Sequence, residues 1–312
     1  MLAHSWLADD QKAAFATSPF VPNTVSVSSY LSPWLVSNGF NAAAIRGGEL
    51  CIQDEQVTVC LMNQALDFLQ KALCNAIAHY ILARNGLETW ARVTNYYASY
   101  FSVHSLLCLQ GRTITRLQLD SALPAQLVPI DFRSHIFGIT TRHLGKNPHH
   151  ETPWKRFYEI YDRYAVPHEA YELVSRKAHI SDPTDESIER NRINYTPFEG
   201  FREIRDLARH QEFSNLFANY ISALKEKSTL EGFLIDLRGF ASDPDHKYFA
   251  RTLLKLALAG EIILSIRGAS GGIEAEWVTI SQRWQSFLAT VFPNPSDCYL
   301  LRFVPLIGSG PN

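Results

Sequence analysis

Apolar residues recur at helical spacing along most of the chain, separated by short polar stretches. Between Leu66 and Ile77 they return every three or four positions, which predicts a helix over 62–84 that Gly86 ends. A second helix follows directly over 90–110, so we expect the two to form an antiparallel hairpin. Further stripes predict helices over 154–164, 168–177, 185–193, 198–226, 230–240, 248–266 and 274–291.

The helix predicted over 90–110 combines large aromatic residues with small ones. Spacings of three and four place the following on one face: Trp90, Val93, Tyr97, Tyr100, Phe101, His104 and Leu107. Ala98, Ser102 and Ser105 lie between them and are small enough for a neighbouring backbone to approach closely. We therefore expect this helix to be buried against other helices, and its small residues to favour contact with a second copy of the chain.

Two regions lack helical periodicity. In residues 1–60 prolines interrupt the chain, and the alternation at 25–28 and the β-prone stretch 56–60 predict one or two short strands. Residues 112–153 are rich in Pro and Gly, and we expect a long loop with at most one short helix there. The predicted fold is thus mainly α, with strands confined to the first 60 residues and the tail at 299–307.

The charge balance and the cysteines of the chain exclude some classes of function. The chain has 312 residues, and its net charge of −2 argues against a broad basic surface that follows nucleic acid through many phosphates. A small, locally basic site remains compatible with that balance. The five cysteines show no Cys-x-x-Cys spacing, and Cys74 and Cys108 lie in apolar helical patterns, so we expect reduced thiols and a cytoplasmic protein.

Neither targeting nor membrane insertion is expected. The first residues lack a basic region followed by an apolar core, so no signal peptide is visible. The longest apolar stretch, 248–266, is interrupted by Arg251, Lys255 and Glu261, which indicates a buried helix and not a membrane span.

Two segments place an arginine five residues before a side chain that can exchange a proton. One runs from Arg205 and Asp206 to His210, and the other from Arg190 and Asn191 to a tyrosine. On a helix, Asp206 and His210 share a face, whereas Arg205 and His210 point about 140° apart. An Arg-to-His spacing of five also arises easily by chance in a chain with 11 His and 29 Lys+Arg.

These segments resemble a known family. The run Tyr96-Tyr-Ala-Ser-Tyr-Phe101, with the Leu pair before Gly111, is similar to a signature helix of HEPN domains, which occur in prokaryotic toxins and defence proteins. A later Arg-Asn followed by a His completes the signature in nuclease members. The resemblance implies an antiparallel helical core over 61–226, an N-terminal mixed extension over 1–60 and a C-terminal helical region over 227–312. It also implies a homodimer.

Two functions follow from the resemblance and stay open. The chain is expected to be a non-catalytic HEPN-like module that binds nucleic acid or a partner protein of the same operon, or a metal-independent RNA endonuclease. In the nuclease, catalysis would use Arg205, Asp206 and His210 or Arg190 and Asn191. Tyr195 stands where the second signature needs His. A tyrosine is a poor general base near neutral pH, which favours the binding module.

A basic stretch between 131 and 156 is the remaining candidate. Its residues for contacting phosphate, RNA or a partner are Arg142, His143, Lys146, Lys155 and Arg156. A zinc site from three of its histidines with Glu151 would lack the His-x-x-x-His register. The Gly-rich turn at 267–272 lacks the Lys-Ser/Thr of a P-loop. We therefore expect neither a metal nor a cofactor, and a solvated surface loop is the alternative at 131–156.

Overall fold

The computed structural model describes residues 15, 25–41, 49–120, 126–133, 136–140, 150–161, 185–195, 207–225, 229–241, 243, 246–269 and 274–292. Within them the fold is mainly helical, which confirms the fold class predicted from the apolar periodicity. The helices are α1 (Val27–Ser37), α2 (Glu55–Arg84), α3 (Glu88–Leu109), α4 (Glu151–Tyr161), α5 (Asp185–Tyr195), α6 (Leu207–Lys225), α7 (Leu230–Phe240), α8 (Lys247–Ala269) and α9 (Glu274–Val291). The strands are β1 (Glu49–Ile52), β2 (Arg112–Leu117), β3 (Gln126–Arg133) and β4 (Ile136–Thr140).

Helices α2 and α3 form the predicted antiparallel hairpin at the centre of the fold. His79, near the end of α2, contacts Ala91 near the start of α3. Ala65, in the first half of α2, contacts Ser105 near the end of α3, so the two helices run in opposite directions. The Ser105 hydroxyl donates to the Ala65 carbonyl at 2.8 Å, which requires close approach of the two helices. This hairpin is the platform on which α5, α6 and α8 pack.

The small residues of α3 are buried within one chain. Ala98, Ser102 and Ser105 have no exposed surface, because α2 and α8 cover α3. They explain the close packing of these helices and offer no surface to a second copy. The aromatic face is less buried than predicted, and Trp90 at its start is 52% exposed.

Helix α8 joins the same core and does not form a separate layer. Its residues from Ala250 to Ala259 are buried, and Leu254 belongs to one hydrophobic cluster with Leu69 of α2 and Leu106 of α3. The polar Lys255 is buried within this stretch. Within the described ranges, no helix has the length and apolar character needed to cross a bilayer.

The strands predicted over 25–28 and 56–60 are wrong, because polar caps begin helices there. The Asp54 carboxylate accepts from the backbone N–H of Gln56 at 2.7 Å at the start of α2. Ser26 caps the first turn of α1 in the same way. Each cap satisfies an N–H group that has no partner within its helix. The β-prone residues of 56–60 are then buried on a helix, so tertiary packing outweighs their local preference.

The loop predicted over 112–153 is also wrong, since an antiparallel sheet occupies part of it. Strand order is β1-β4-β3-β2, with Ile130 of β3 opposite Ile139 of β4. In β2 the buried positions alternate with more exposed ones, but two of the buried side chains are Thr113 and Thr115. Because these hydroxyl residues occupy the inward positions, the strand shows no apolar alternation in the sequence.

The cysteines and several predicted segments have mixed outcomes. Cys108 is buried, as its apolar pattern predicts, and burial raises the pKa of its thiol to about 12. Cys74 is exposed although its apolar helical pattern favours burial, and both thiols are free. The helix predicted over 168–177, the start of the one predicted at 198 and the tail at 299–307 lie outside the described residues.

Candidate functional site

Arg190, on α5, is held by tyrosines. Its Nη2 donates to the hydroxyl of Tyr97 at 3.0 Å, and its Nη1 donates to the hydroxyl of Tyr195 at 3.2 Å and to Asn191 Oδ1 at 2.8 Å. The guanidinium carbon lies 5.9, 5.8 and 5.3 Å from the ring centres of Tyr96, Tyr97 and Tyr195. Those distances are within the range of cation–π attraction. The side chain is thus fixed by neutral groups.

The charge of Arg190 has no acidic partner among the described residues. Burial acts to lower its pKa, but hydrogen bonds to the tyrosine hydroxyls outweigh burial and the pKa is raised, so the group stays charged. Its Nε is buried and has no acceptor within the described part of the chain. An arginine in this state favours an incoming anion, because guanidinium donors match carboxylate and phosphate oxygens.

Other arginines pair with two of the nearby carboxylates. Arg92 contacts Glu88 at 2.7 Å and Glu189 at 3.1 Å, and Arg192 contacts Glu189 at 2.9 Å. Burial alone would raise the pKa of Glu189, but the hydrogen bond from Arg192 and both positive charges hold it below its usual range. Glu189 therefore remains ionised and paired, which leaves Arg190 as the cation open to a ligand.

Arg190 lines a cavity of about 300 Å³ between α2, α3, α5, α6 and α8. We call it the Arg190 cavity. Its volume is at the lower end of the range for small-ligand sites. Its apolar wall consists of Ile193, Phe213, Leu216, Phe217 and Phe249. The lining also contains four glutamates, Glu88, Glu186, Glu189 and Glu212. Arg92 pairs with Glu88 and Glu189, and Lys255 pairs with Glu186. An anionic part of a ligand is therefore expected only at Arg190, with a flat apolar part against the aromatic rings.

Two further polar groups in the wall have unused hydrogen-bonding capacity. The Nδ1 of His79 lies 2.7 Å from the Ala91 carbonyl, which assigns the proton to that nitrogen, and Nε2 has no partner among the described residues. Burial lowers the pKa of His79 to about 4, so the ring is neutral at pH 7. Asn95 Oδ1 is likewise buried without a described donor. Both atoms are acceptors.

His246 lines the same cavity and was not among the predicted site residues. Its Nδ1 lies 2.8 Å from Asp243 Oδ1, which also accepts from the backbone N–H of His246 at 3.1 Å. One carboxylate thus closes the turn directly before α8 and orients the imidazole. The sequence signal is an Asp-x-x-His directly before an apolar helix. This turn accounts for the pair structurally, but a carboxylate-oriented His is also an arrangement that serves proton transfer.

The structure gives His210 a packing contact. His210 Nε2 donates to the Asn85 carbonyl at 2.9 Å, so α6 covers the end of α2. A Cβ atom placed on Gly86 would lie 2.4 Å from that nitrogen. Arg205 and Asp206, the other predicted members of this group, lie outside the described residues. The described half of the group therefore has a structural role at the α2–α3 turn.

This contact makes Gly86 sensitive to substitution. Gly86 has a φ of +70°, and so we expect Gly86→Ala to lower the free energy of unfolding through backbone strain of about 1–2 kcal/mol plus the clash with His210. Gly39 is the matched control, because its φ is +80° and nothing lies within 4 Å of its added Cβ. Urea unfolding of both variants should show the larger loss for Gly86→Ala. Equal losses would mean that the imidazole moves aside without resistance.

The predicted basic stretch is only partly described. Arg142, His143 and Lys146 lie outside the described residues. Lys155 Nζ lies 3.2 Å from Glu151, and Arg156 Nη1 lies 3.2 Å from Asp131 of β3. These two cations are thus paired within the chain. Among the described His, Cys, Asp and Glu residues, no group of three or more is placed to hold a metal ion.

Comparison of the chain with protein-family models, with curated proteins and with solved structures finds no match.

Proposed function

We propose that this chain is a HEPN-like module of a prokaryotic defence or toxin–antitoxin system that binds single-stranded RNA at the Arg190 cavity without cleaving it. The observation that carries the proposal is the guanidinium of Arg190, held by three tyrosines and without a described acidic partner. A cation beside aromatic rings suits a phosphate and its neighbouring base. Tyr195 supports this, since it is 70% exposed and its ring lies against the guanidinium.

The proposed lack of cleavage rests on the residue at position 195. In the nuclease signature, the fifth residue after the arginine is a histidine that transfers protons. Here it is a tyrosine, and its hydroxyl accepts a hydrogen bond from Arg190. That bond fixes the guanidinium and supplies no base. The net charge of −2 limits the interaction to a local contact, so the expected ligand is an RNA end or loop and not a duplex.

A metal-independent ribonuclease is the second candidate, and His246 is the observation that favours it. The imidazole, oriented by Asp243, lines the same cavity as Arg190. Arg190 would then hold the scissile phosphate while His246 transfers the proton. This candidate uses Arg190 with a different histidine from the one that the sequence suggested.

Substitution of Arg190 tests the proposal. Binding of a fluorescently labelled single-stranded RNA should weaken about tenfold in Arg190→Met, because a charged phosphate contact is lost, and the slope of log affinity against log salt should fall by about one. Arg192→Met is the matched control, since Arg192 lies on the same helix but is paired with Glu189 at 2.9 Å. Its RNA affinity should stay close to that of the unmodified chain.

The same samples distinguish the two candidates. RNA incubated with the unmodified chain should stay intact under the binding proposal. Cleavage that persists in chelator and is lost in His246→Gln would instead establish the ribonuclease. Equal affinities for Arg190→Met and Arg192→Met, or no RNA binding by the unmodified chain, would overturn the proposed site.

A further inference from the structure

A second cavity lies on another side of α3, away from Arg190. Its volume is about 400 Å³, and it is enclosed by α2, α3, β2, the start of α1 and Pro153 of α4. We call it the His104 cavity, because His104 of α3 lines it. Phe68 and Ile114 contribute apolar surface, and the start of α1, α2, α3 and β2 each contribute polar side chains. It shares no lining residue with the Arg190 cavity among those described.

His104 is the unusual residue of this cavity. The side chain is 6% exposed, and neither Nδ1 nor Nε2 has a hydrogen-bond partner within the described chain. A neutral imidazole carries one N–H donor and one acceptor nitrogen, so both functions are unused. Aromatic rings hold it in place: the ring centres of Tyr100 and Phe68 lie 4.6 and 4.9 Å away. Buried polar groups are nearly always paired, so such a residue indicates a ligand.

Positive charge converges on the same cavity. Lys71 lies on α2 with its Nζ 5.6 Å from the Phe68 ring centre and 6.0 Å from that of Phe101, and no described carboxylate forms an ion pair with it. Arg116 of β2 adds a second cation. Among the described lining residues Asp67 is the one acid, and burial raises the pKa of its carboxyl although Lys71 acts against it. The balance favours an anion.

The start of α1 supplies a third element. Ser26 and Ser28 line the cavity, and Ser26 is the N-cap of this 11-residue helix. Helix N-termini attract anions through their unpaired N–H groups and the positive end of the helix dipole. Thr115 of β2, which is 7% exposed, adds a hydroxyl to the wall. At this end of α1 the N–H groups of Val27 and Ser29 already donate to Gln64 and Ser26, and the Ser28 hydroxyl donates to the Arg116 carbonyl, so α1 contributes mainly the positive end of its dipole. Lys71 and Thr115 add donors from α2 and β2.

We propose that the His104 cavity binds a small organic phosphate. The phosphate lies among Lys71, Arg116 and the N-terminus of α1, and its ester-linked apolar part lies against Phe68 and Tyr100. His104 donates its N–H to the ligand and satisfies the buried imidazole. The site is separate from the Arg190 cavity, so a test of phosphate binding here does not depend on whether the chain binds RNA there.

Calorimetric titration with phenyl phosphate tests the proposal. Phenyl phosphate should bind more tightly than inorganic phosphate, which lacks the ring, and more tightly than phenol, which lacks the charge. In Lys71→Met its affinity should fall about tenfold or more, because a charge-assisted contact is lost. Lys247→Met is the matched control, since Lys247 also lies over an aromatic ring, at 4.7 Å from the Tyr248 centre, but outside this cavity. Its affinity should not change.

Histidine side-chain NMR gives a second readout, which reports on the His104 ring in the unmodified chain. In chain carrying isotope-labelled histidine, phenyl phosphate should shift the ring signals of His104, assigned with His104→Phe, and leave those of His79 in place. Tighter binding of benzoate than of phenyl phosphate would make the ligand a carboxylate and overturn the phosphate assignment. Equal binding of phenol and phenyl phosphate, or no shift at His104 at millimolar ligand, would overturn the site.

Discussion

Replacing Lys255 by Met is expected to destabilise the fold by about 3–5 kcal/mol, the range for breaking a buried ion pair. Lys255 has no exposed surface, and its Nζ contacts Glu186 at 2.5 Å and the hydroxyl of Ser99 at 2.7 Å. It also lies 4.6 Å from the ring centre of Trp154. Without the ammonium, the Glu186 carboxylate is left buried and loses its partner. Urea unfolding at pH 7 measures the loss.

The double variant Lys255→Met with Glu186→Gln distinguishes the contribution of the ion pair from the cost of leaving one buried charge without its partner. Burial lowers the pKa of Lys255 although Glu186 acts to raise it, so removal from water is the dominant effect on this charge. Taking away both charges should therefore recover most of the stability that each single change removes. Lys155→Met is the exposed control: its ion pair with Glu151 spans 3.2 Å but both side chains are largely accessible, so a loss below about 1 kcal/mol is expected. If Lys255→Met and Glu186→Gln, each alone, lowered the free energy of unfolding no more than Lys155→Met does, the buried pair would not have the proposed effect on stability.

Acid should destabilise the fold between about pH 6.5 and pH 4, and two buried histidines are a principal cause. Burial lowers the pKa of both His79 and His104 to about 4. In the unfolded chain each binds a proton below about pH 6.5. The unfolded state therefore gains protons first as pH falls, and stability present above pH 6.5 declines toward pH 4. Each histidine contributes roughly 3 kcal/mol over that window.

The two histidines form a matched pair for measurement. His79 donates to the Ala91 carbonyl, whereas His104 has no described partner. Both His→Phe variants should lose less stability on acidification. At pH 7, however, His104→Phe should hold or gain stability, and His79→Phe should lose about 1–3 kcal/mol by leaving a carbonyl unpaired. Urea unfolding at several pH values measures the acid response of each variant. If a variant loses as much stability on acidification as the unmodified chain, its histidine is not a cause of the acid sensitivity.

Helices were predictable because their apolar periodicity is strong. The segments over 230–240 and 274–291 coincide with α7 and α9, and the hairpin at 62–110 is present. The sheet was not predictable, since β2 places threonines at its buried positions and so carries no apolar alternation. The pattern at 56–60 favoured a strand, but burial on α2 decides the outcome.

The candidate sites depend on contacts between elements that are far apart in sequence. Spacing identified Arg190 and the tyrosine five positions later, because both lie on one helix. Spacing could not reveal that Tyr97, 93 positions away, holds the same guanidinium. His104 lies on the face that the sequence predicts to be buried, and its burial agrees, but both ring nitrogens lack a described partner. His246 could not be identified from the sequence, because only the packing of α8 against α3, α5 and α6 places it at the Arg190 cavity.

Helix α3 has almost no face directed to solvent, and this limits how its sequence can change over time. Sixteen of its 22 residues are buried, and its two sides line different cavities. Tyr96 borders one cavity and Tyr100, a single turn later, borders the other. A substitution on α3 alters two environments at once, and it would have to be matched by changes on the helices that face it. Evolutionary drift should therefore be slowest along α3, where the positions of both sites are set.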